Sequence, residues 1–178
     1  KRLAIARKPL ICSTGMSTEN EIKKGISFLK EMGVQFALLH CNSTYPSPFK
    51  DINLNYIQRL KELSQSIVGY SGHERGISVP IAAVAVGAKL IEKHFTIDKS
   101  MEGNDHKVSL LPQEFKSMVE EIRNVEEAMG QNQERAMSQG ELLNREVLAK
   151  SLVAKSAIRK GSKITEELVE VKSPGQGL

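Results

Sequence analysis

At 178 residues the chain has material for one domain and part of a second. Lys and Arg exceed Asp and Glu by 25 − 21 = 4, a mild and dispersed excess that suits small anions. That balance excludes a nucleic-acid surface, and the lack of Trp with only 4% aromatics excludes a base-stacking platform.

In chain order, Pro9-Leu-Ile-Cys-Ser13 reads as a short buried strand ended by Thr14-Gly15. Ser17-Thr18-Glu19 then opens a helical pattern through Met32, with Ile22, Ile26, Leu29 and Met32 on one face and Gly33 as the stop. Phe36–His40 is a second strand, followed by a Pro- and Ser-rich loop from Cys41 to Asp51, long for a strand-to-helix connection and therefore of a functional kind. Leu54, Ile57, Leu60 and Leu63 mark the next helix. Ile67–Ser71 is a third strand, Ile77–Ala88 a helix that tolerates Pro80 in its first turn, Leu90–His94 a fourth strand, and Pro112–Met129 a fourth helix. Cys12 and Cys41 fall inside strands, where buried thiols are common, with no disulfide or metal spacing.

Strands that are apolar throughout have both faces covered, which implies a parallel α/β arrangement. Four such units make half of an eightfold barrel or a small doubly wound sheet. The start at Lys1 without Met fits the later half of a barrel. Past Gly130 the chain turns polar and weakly periodic, so the expected division is 1–130 as the α/β unit, 131–150 as a linker and 151–178 as the start of a second domain. There, Ser151–Ile158 alternates like a strand, Thr165 caps a short helix through Leu168, and Val169–Val171 is another brief strand. No apolar run approaches the ~20 residues of a membrane span and no signal-peptide core opens the chain, which reads as cytoplasmic.

Two segments carry chemistry: Gly69-Tyr-Ser-Gly-His-Glu-Arg-Gly76 and Ile91-Glu-Lys-His-Phe-Thr96. Each sets a histidine where an apolar run ends, and their separation of about 20 residues is what one crossover helix takes to return a parallel strand beside its neighbour. His73 and His94 are thus expected side by side at the carboxyl ends of adjacent strands, as a metal or acid/base pair. Glu92-Lys93 reads as a buried structural pair or a barrel-core contact rather than a catalytic dyad, and His40 and His106 have no spacing argument. Taken singly, Ser13 and Ser71 could satisfy turn amides, Tyr45-Pro46 could staple a loop and Asp105 could cap a turn.

Five motifs in register, Ile11-Cys-Ser-Thr-Gly-Met16, Leu39-His-Cys-Asn-Ser-Thr-Tyr-Pro46, Gly69-Tyr-Ser-Gly-His-Glu74, Gly87-Ala-Lys-Leu-Ile-Glu-Lys-His-Phe-Thr96 and Asn104-Asp-His106, closely resemble the sialic acid synthases. The tail, from Ser151-Leu-Val-Ala to Pro174-Gly, resembles the start of the antifreeze-like (SAF) domain that follows the barrel in that family. The resemblance implies the C-terminal half of a (β/α)8 TIM barrel, a linker, and the beginning of a small SAF-like β-clip domain. It implies an enzyme that condenses phosphoenolpyruvate with an N-acylmannosamine-type sugar, giving a nine-carbon 2-keto acid, sialic or legionaminic, and phosphate.

By motif match, His73 and His94 would ligate a divalent metal, Mn²⁺ first, with Mg²⁺ or Co²⁺ as alternatives. Ser13, Ser43 and Ser71 would meet the phosphoenolpyruvate anion, and Tyr45 and Asp105 the amino sugar. Asn42 is a candidate because the family carries Asn at the next position, where this chain has Ser43. The family's catalytic glutamate belongs to the first half of the barrel, so no residue here receives the acid/base role. The implied partners are the two substrates and, for the intact protein, a second copy in a domain-swapped homodimer. The alternatives are a synthase acting on a sugar phosphate, for which the loops lack a second Arg or Lys cluster, and a non-catalytic metal- or sugar-binding fragment.

Overall fold

The computed structural model describes residues 2–5 and 8–173, which divide into two compact units, Lys1–Gly130 and Gln131–Leu178. Pro174-Gly of the tail motif lies outside the described residues.

In the first unit a short helix α1 (Arg2–Ile5) precedes β1 (Leu10–Ser13), α2 (Glu19–Glu31), β2 (Phe36–Cys41), α3 (Tyr56–Ser64), β3 (Ile67–Gly72), α4 (Ser78–Ala85), β4 (Ile91–Lys93) and α5 (Pro112–Met129). The four strands pair in parallel in the order β1-β2-β3-β4, a curled half-barrel with its crossover helices on one side. Phe95 bridges to Leu110 in parallel beyond β4.

Local sequence sets the helix ends. Thr18 and Glu21 form a reciprocal capping box: Thr18 N–H donates to Glu21 Oε2 at 2.8 Å and Glu21 N–H to Thr18 Oγ1 at 3.3 Å. Gly33 adopts φ +63 where the helix stops. Helix α4 ends earlier than Ala88 because Gly87 takes φ +105 and closes the last turn onto Val84 O at 2.9 Å. Helix α3 begins after an irregular turn, leaving Leu54 to pack on the core ahead of it.

Alternation along the strands separates two faces. Leu38, Val68 and Tyr70 point to the helices and pack with Ile22, Ile26, Ile57, Leu60, Ala83 and Ala88. Burial of Ile57 or Leu60 contributes about 2 kcal/mol apiece. The other face carries Leu39 and, in register across the carboxyl end, Cys41, Ser71 and Glu92. Its outer members Ile11 and Ile67 are 62% and 57% exposed.

The second unit holds α6 (Gln139–Leu148) and an antiparallel pair, β5 (Ser151–Ala154) with β6 (Val169–Lys172). The helix stands in the segment expected to be an irregular linker. Ser138 and Glu141 cap it reciprocally, Ser138 N–H donating to Glu141 Oε2 at 2.9 Å, and the polar composition masks that signal. Strand β5 stops at Ala154 rather than Ile158, and the expected short helix is a single 3-10 turn, Glu166–Leu168. Among the described residues no helix is long and apolar enough to cross a membrane.

Candidate functional site

The last paired rung between β3 and β4 is Gly72 with Lys93, so the next residue of each strand is a histidine. The rings of His73 and His94 lie 5.0 Å apart, edge to face at 71°. Tyr45, from the loop after β2, stacks on His73 with ring centroids 4.1 Å apart and meets the edge of His94 at 5.8 Å. Three chain segments distant in sequence therefore converge on one spot at the carboxyl end of the sheet.

Hydrogen bonding orients the imidazoles. His73 is buried, and its Nδ1 lies 2.8 Å from the carbonyl oxygen of Asn42. A carbonyl only accepts, so Nδ1 carries the proton and Nε2 keeps its lone pair. The His73 carbonyl accepts from Ser47 N–H at 3.1 Å, which pins the same residue through its backbone. His94 is half-buried, with Nδ1 3.9 Å from Asp105 Oδ2. Asp105 is placed by its own turn, where its carbonyl accepts from Ser109 N–H at 3.0 Å and Ser109 Oγ–H at 2.7 Å.

Among the described residues no three of His, Cys, Asp and Glu form a ready metal cage. Two imidazoles at this separation are of the donor type that would hold a shared divalent cation, whose remaining ligands would have to come from outside these two side chains.

The other candidates divide. Ser71 is buried and donates from Oγ to Glu92 Oε1 at 2.8 Å. Ser13 is exposed at the end of β1, its Oγ 3.4 Å from Gly15 N. Ser43 Oγ lies 3.7 Å from Cys41 Sγ, and a Cβ on Gly15 would stand 2.2 Å from that hydroxyl. Asn42 has both ends of its amide engaged within the loop, Nδ2–H donating to Asp51 O at 2.9 Å and Oδ1 accepting from Thr44 N–H at 3.0 Å. Asn42 is thus a loop brace whose carbonyl orients His73, and Ser43 is the freer side chain of the two.

Of the two readings of Glu92-Lys93, a mutual buried pair does not form, and Lys93 is instead a core contact. Adjacent strand residues point to opposite faces, so Glu92 joins Ser71 on the site face while Lys93 is buried on the helix side against Glu74, 2.7 Å away. Glu92, which is not among the residues expected at the site, lies on the site face because it pairs in register with Ser71. His40 is structural: buried between Tyr56 and Tyr70, its Nε2 is 2.6 Å from Ile52 O. His106 Nδ1 lies 2.8 Å from Thr96 Oγ1 and steadies the turn before Asp105. A concavity of about 870 Å³ lies at the opposite end of the strands among Leu10, Gln35, Ile67 and Leu90, away from these groups.

A model described as the NeuB family matches residues 1–134. The chain is 44% identical to an N,N'-diacetyllegionaminic acid synthase of Campylobacter jejuni, over 100% of this chain and 54% of that protein. It is 39% identical to a human N-acetylneuraminate-9-phosphate synthase, over 93% of this chain and 46% of that protein. Among solved structures it is similar to an N-acetylneuraminic acid (sialic acid) synthetase from Leptospira borgpetersenii serovar Hardjo-bovis in complex with citrate, with TM-score 0.73, 36% identity, and coverage of 82% of this chain and 52% of that one. The chain spans about half the length of these relatives.

Proposed function

The chain belongs to the NeuB family, and from that premise we propose that it forms the metal-binding half of a synthase joining phosphoenolpyruvate to an N-acylmannosamine-type sugar. The observation that carries this reading is the His73–His94 pair, flanked by Ser71, Glu92 and Tyr45 at one end of a parallel half-barrel. The named activities of the Campylobacter and Leptospira relatives support the nine-carbon sugar acid as product, sialic or legionaminic.

The reaction balances as phosphoenolpyruvate, sugar and one water giving a 2-keto acid and phosphate. A bond forms between C3 of the enol and the aldehyde carbon, the aldehyde oxygen takes up a proton, water supplies the oxygen needed at C2, and phosphate leaves. When bound by His73 and His94, a divalent cation, Mn²⁺ in first place and Mg²⁺ or Co²⁺ otherwise, supplies Lewis-acid polarisation of the aldehyde oxygen.

The chain's own residues bind and orient. Ser13 and Ser43 offer hydroxyl donors to the phosphoenolpyruvate anion, and Ser71 joins them by turning its hydroxyl hydrogen from Glu92 to the anion on binding. Asp105 accepts from sugar hydroxyls, and Tyr45 closes the wall over both imidazoles. For the intact protein, a homodimer with exchanged C-terminal units follows from the family resemblance, and sedimentation of a fully active monomer would oppose it.

The test is to incubate the intact protein with phosphoenolpyruvate, Mn²⁺ and each of several N-acylated mannosamine-type sugars. The expected outcome is phosphate release with a product whose mass is that of sugar plus pyruvic acid, abolished by chelator. Phosphate release without sugar dependence, or turnover only with a sugar phosphate, would favour a different synthase.

A further inference from the structure

Tyr70, Glu74 and Lys93 form a polar cluster directly under the two histidines, on the helix side of the sheet, and the proposed reaction does not use it. The side chains of Glu74 and Lys93 are both 0% exposed, with Nζ and Oε1 2.7 Å apart. Lys93 Nζ–H also donates to the main-chain oxygen of Glu74, and Tyr70 O–H donates to Glu74 Oε2 at 2.6 Å. Burial lowers the pKa of Lys93 against the pull of Glu74, while burial and the Glu74 hydrogen bond raise that of Tyr70.

Stability alone is a weak account of such a cluster, because well-packed apolar side chains in place of a buried ion pair are often neutral or better. Its place in the chain gives a stronger one. The β3–β4 ladder ends at Gly72 and Lys93, so His73 and His94 stand one residue past its last rung; Leu110 N–H holds the His94 carbonyl from the far side at 2.8 Å, but the β3–β4 ladder does not reach across to set the separation of the two histidines. Glu74 is the residue after His73, and Lys93 is the residue before His94. The Lys93 ammonium holds both the carboxylate and the carbonyl of Glu74, so it spans from the neighbour of one histidine to the neighbour of the other. Gly72 leaves room for this, since a Cβ there would lie 2.8 Å from Glu74 Oε1 and 2.9 Å from Oε2.

We propose that the Tyr70–Glu74–Lys93 cluster is a positioning device that replaces the missing rung and holds the two imidazoles at the separation one cation requires. This rests on the reading of His73 and His94 as cation ligands. Asn42 and Ser47 hold His73 from the loop side, and the cluster holds it from beneath.

The test uses the intact protein and two variants. Glu74→Gln/Lys93→Met removes both charges and leaves neither unpaired; Tyr70→Phe removes one hydrogen bond and keeps the ring in place, so it folds if the double variant does not. The metal-free crystal structure reads the separation of the rings, and calorimetric titration with Mn²⁺ reads affinity. In the double variant the rings should leave the 5.0 Å spacing by more than ~0.5 Å, the tolerance of a preorganised site, and Mn²⁺ affinity should fall ~10- to 100-fold, the usual loss for partners behind metal ligands. Tyr70→Phe should show smaller changes of the same sign. A folded variant with parental spacing and parental Mn²⁺ affinity would overturn the proposal. Ring separation is read without metal, so it decides the role of the cluster by itself. His73→Ala in the same titration decides the ligand reading, which unchanged affinity would refute.

Discussion

Gly72→Ala perturbs the site from beneath without touching a histidine. The new Cβ would stand 2.8 Å from Tyr70 Cε1, 2.8 Å from Glu74 Oε1 and 2.9 Å from Oε2, against the ~3.5–4.0 Å of an ordinary carbon contact. Something must move by more than half an ångström. The carboxylate is held at 2.7 Å by Lys93 and 2.6 Å by Tyr70, and the Tyr70 ring is packed in the core. Overpacking costs about 1–3 kcal/mol and strained hydrogen bonds to a buried charge cost a further ~1–2 kcal/mol, giving about 3 kcal/mol in all. In the thermal melt of the intact protein that corresponds to a fall of roughly 5–10 °C. Gly25→Ala is the control, because its Cβ meets nothing within 4 Å on the exposed side of α2, and it should stabilise by about 0.5–1 kcal/mol. A Gly72→Ala protein melting within a degree of the parent would refute the packing argument.

Other outcomes follow from the same geometry. His40 is held neutral by burial, which lowers its pKa more than the Ile52 and Asn53 carbonyls raise it; its stabilising contribution is present above the ordinary value of about 6.5 and lost as pH falls below it. His40→Gln should therefore flatten the fall of the melting temperature between about pH 7 and pH 5, and an unchanged slope would contradict this. Glu19 is held down to about 2 by hydrogen bonds from Arg59 and Lys23, so its contribution is present above the unfolded value of about 4.5 and disappears as pH falls toward 2. Glu19→Gln should remove that acid-side loss in a pH-melt series. Ser71→Ala leaves Glu92 without its donor at the site and should raise KM for phosphoenolpyruvate several-fold with little change in melting, whereas an unchanged KM would remove Ser71 from the anion site.

The strands and their parallel order were legible because apolar runs separated by helical spacing leave few arrangements, and the meeting of His73 and His94 follows from the same spacing. Side-chain pairing was harder to read. Glu92 and Lys93 are neighbours in sequence and strangers in space, since alternation sends one to the site and the other to the core. The partner of Lys93 is Glu74, 19 residues earlier, and only the register of β3 on β4 brings them together. Asn42 shows the same limit, because its amide is consumed by contacts across its own loop, to Asp51 and Thr44. Helix α6 was hidden by composition, although its Ser138–Glu141 cap stood in the sequence.

The central claim, that two strand-end histidines hold one catalytic cation, is tested most directly by Mn²⁺ titration of the intact protein followed by electron paramagnetic resonance. His73→Ala and His94→Ala should each weaken binding by at least the ~10- to 100-fold that loss of an outer partner causes, while His106→Ala, whose ring is directed to Thr96, keeps parental affinity. Parental Mn²⁺ affinity in a folded His73→Ala or His94→Ala protein would contradict the account.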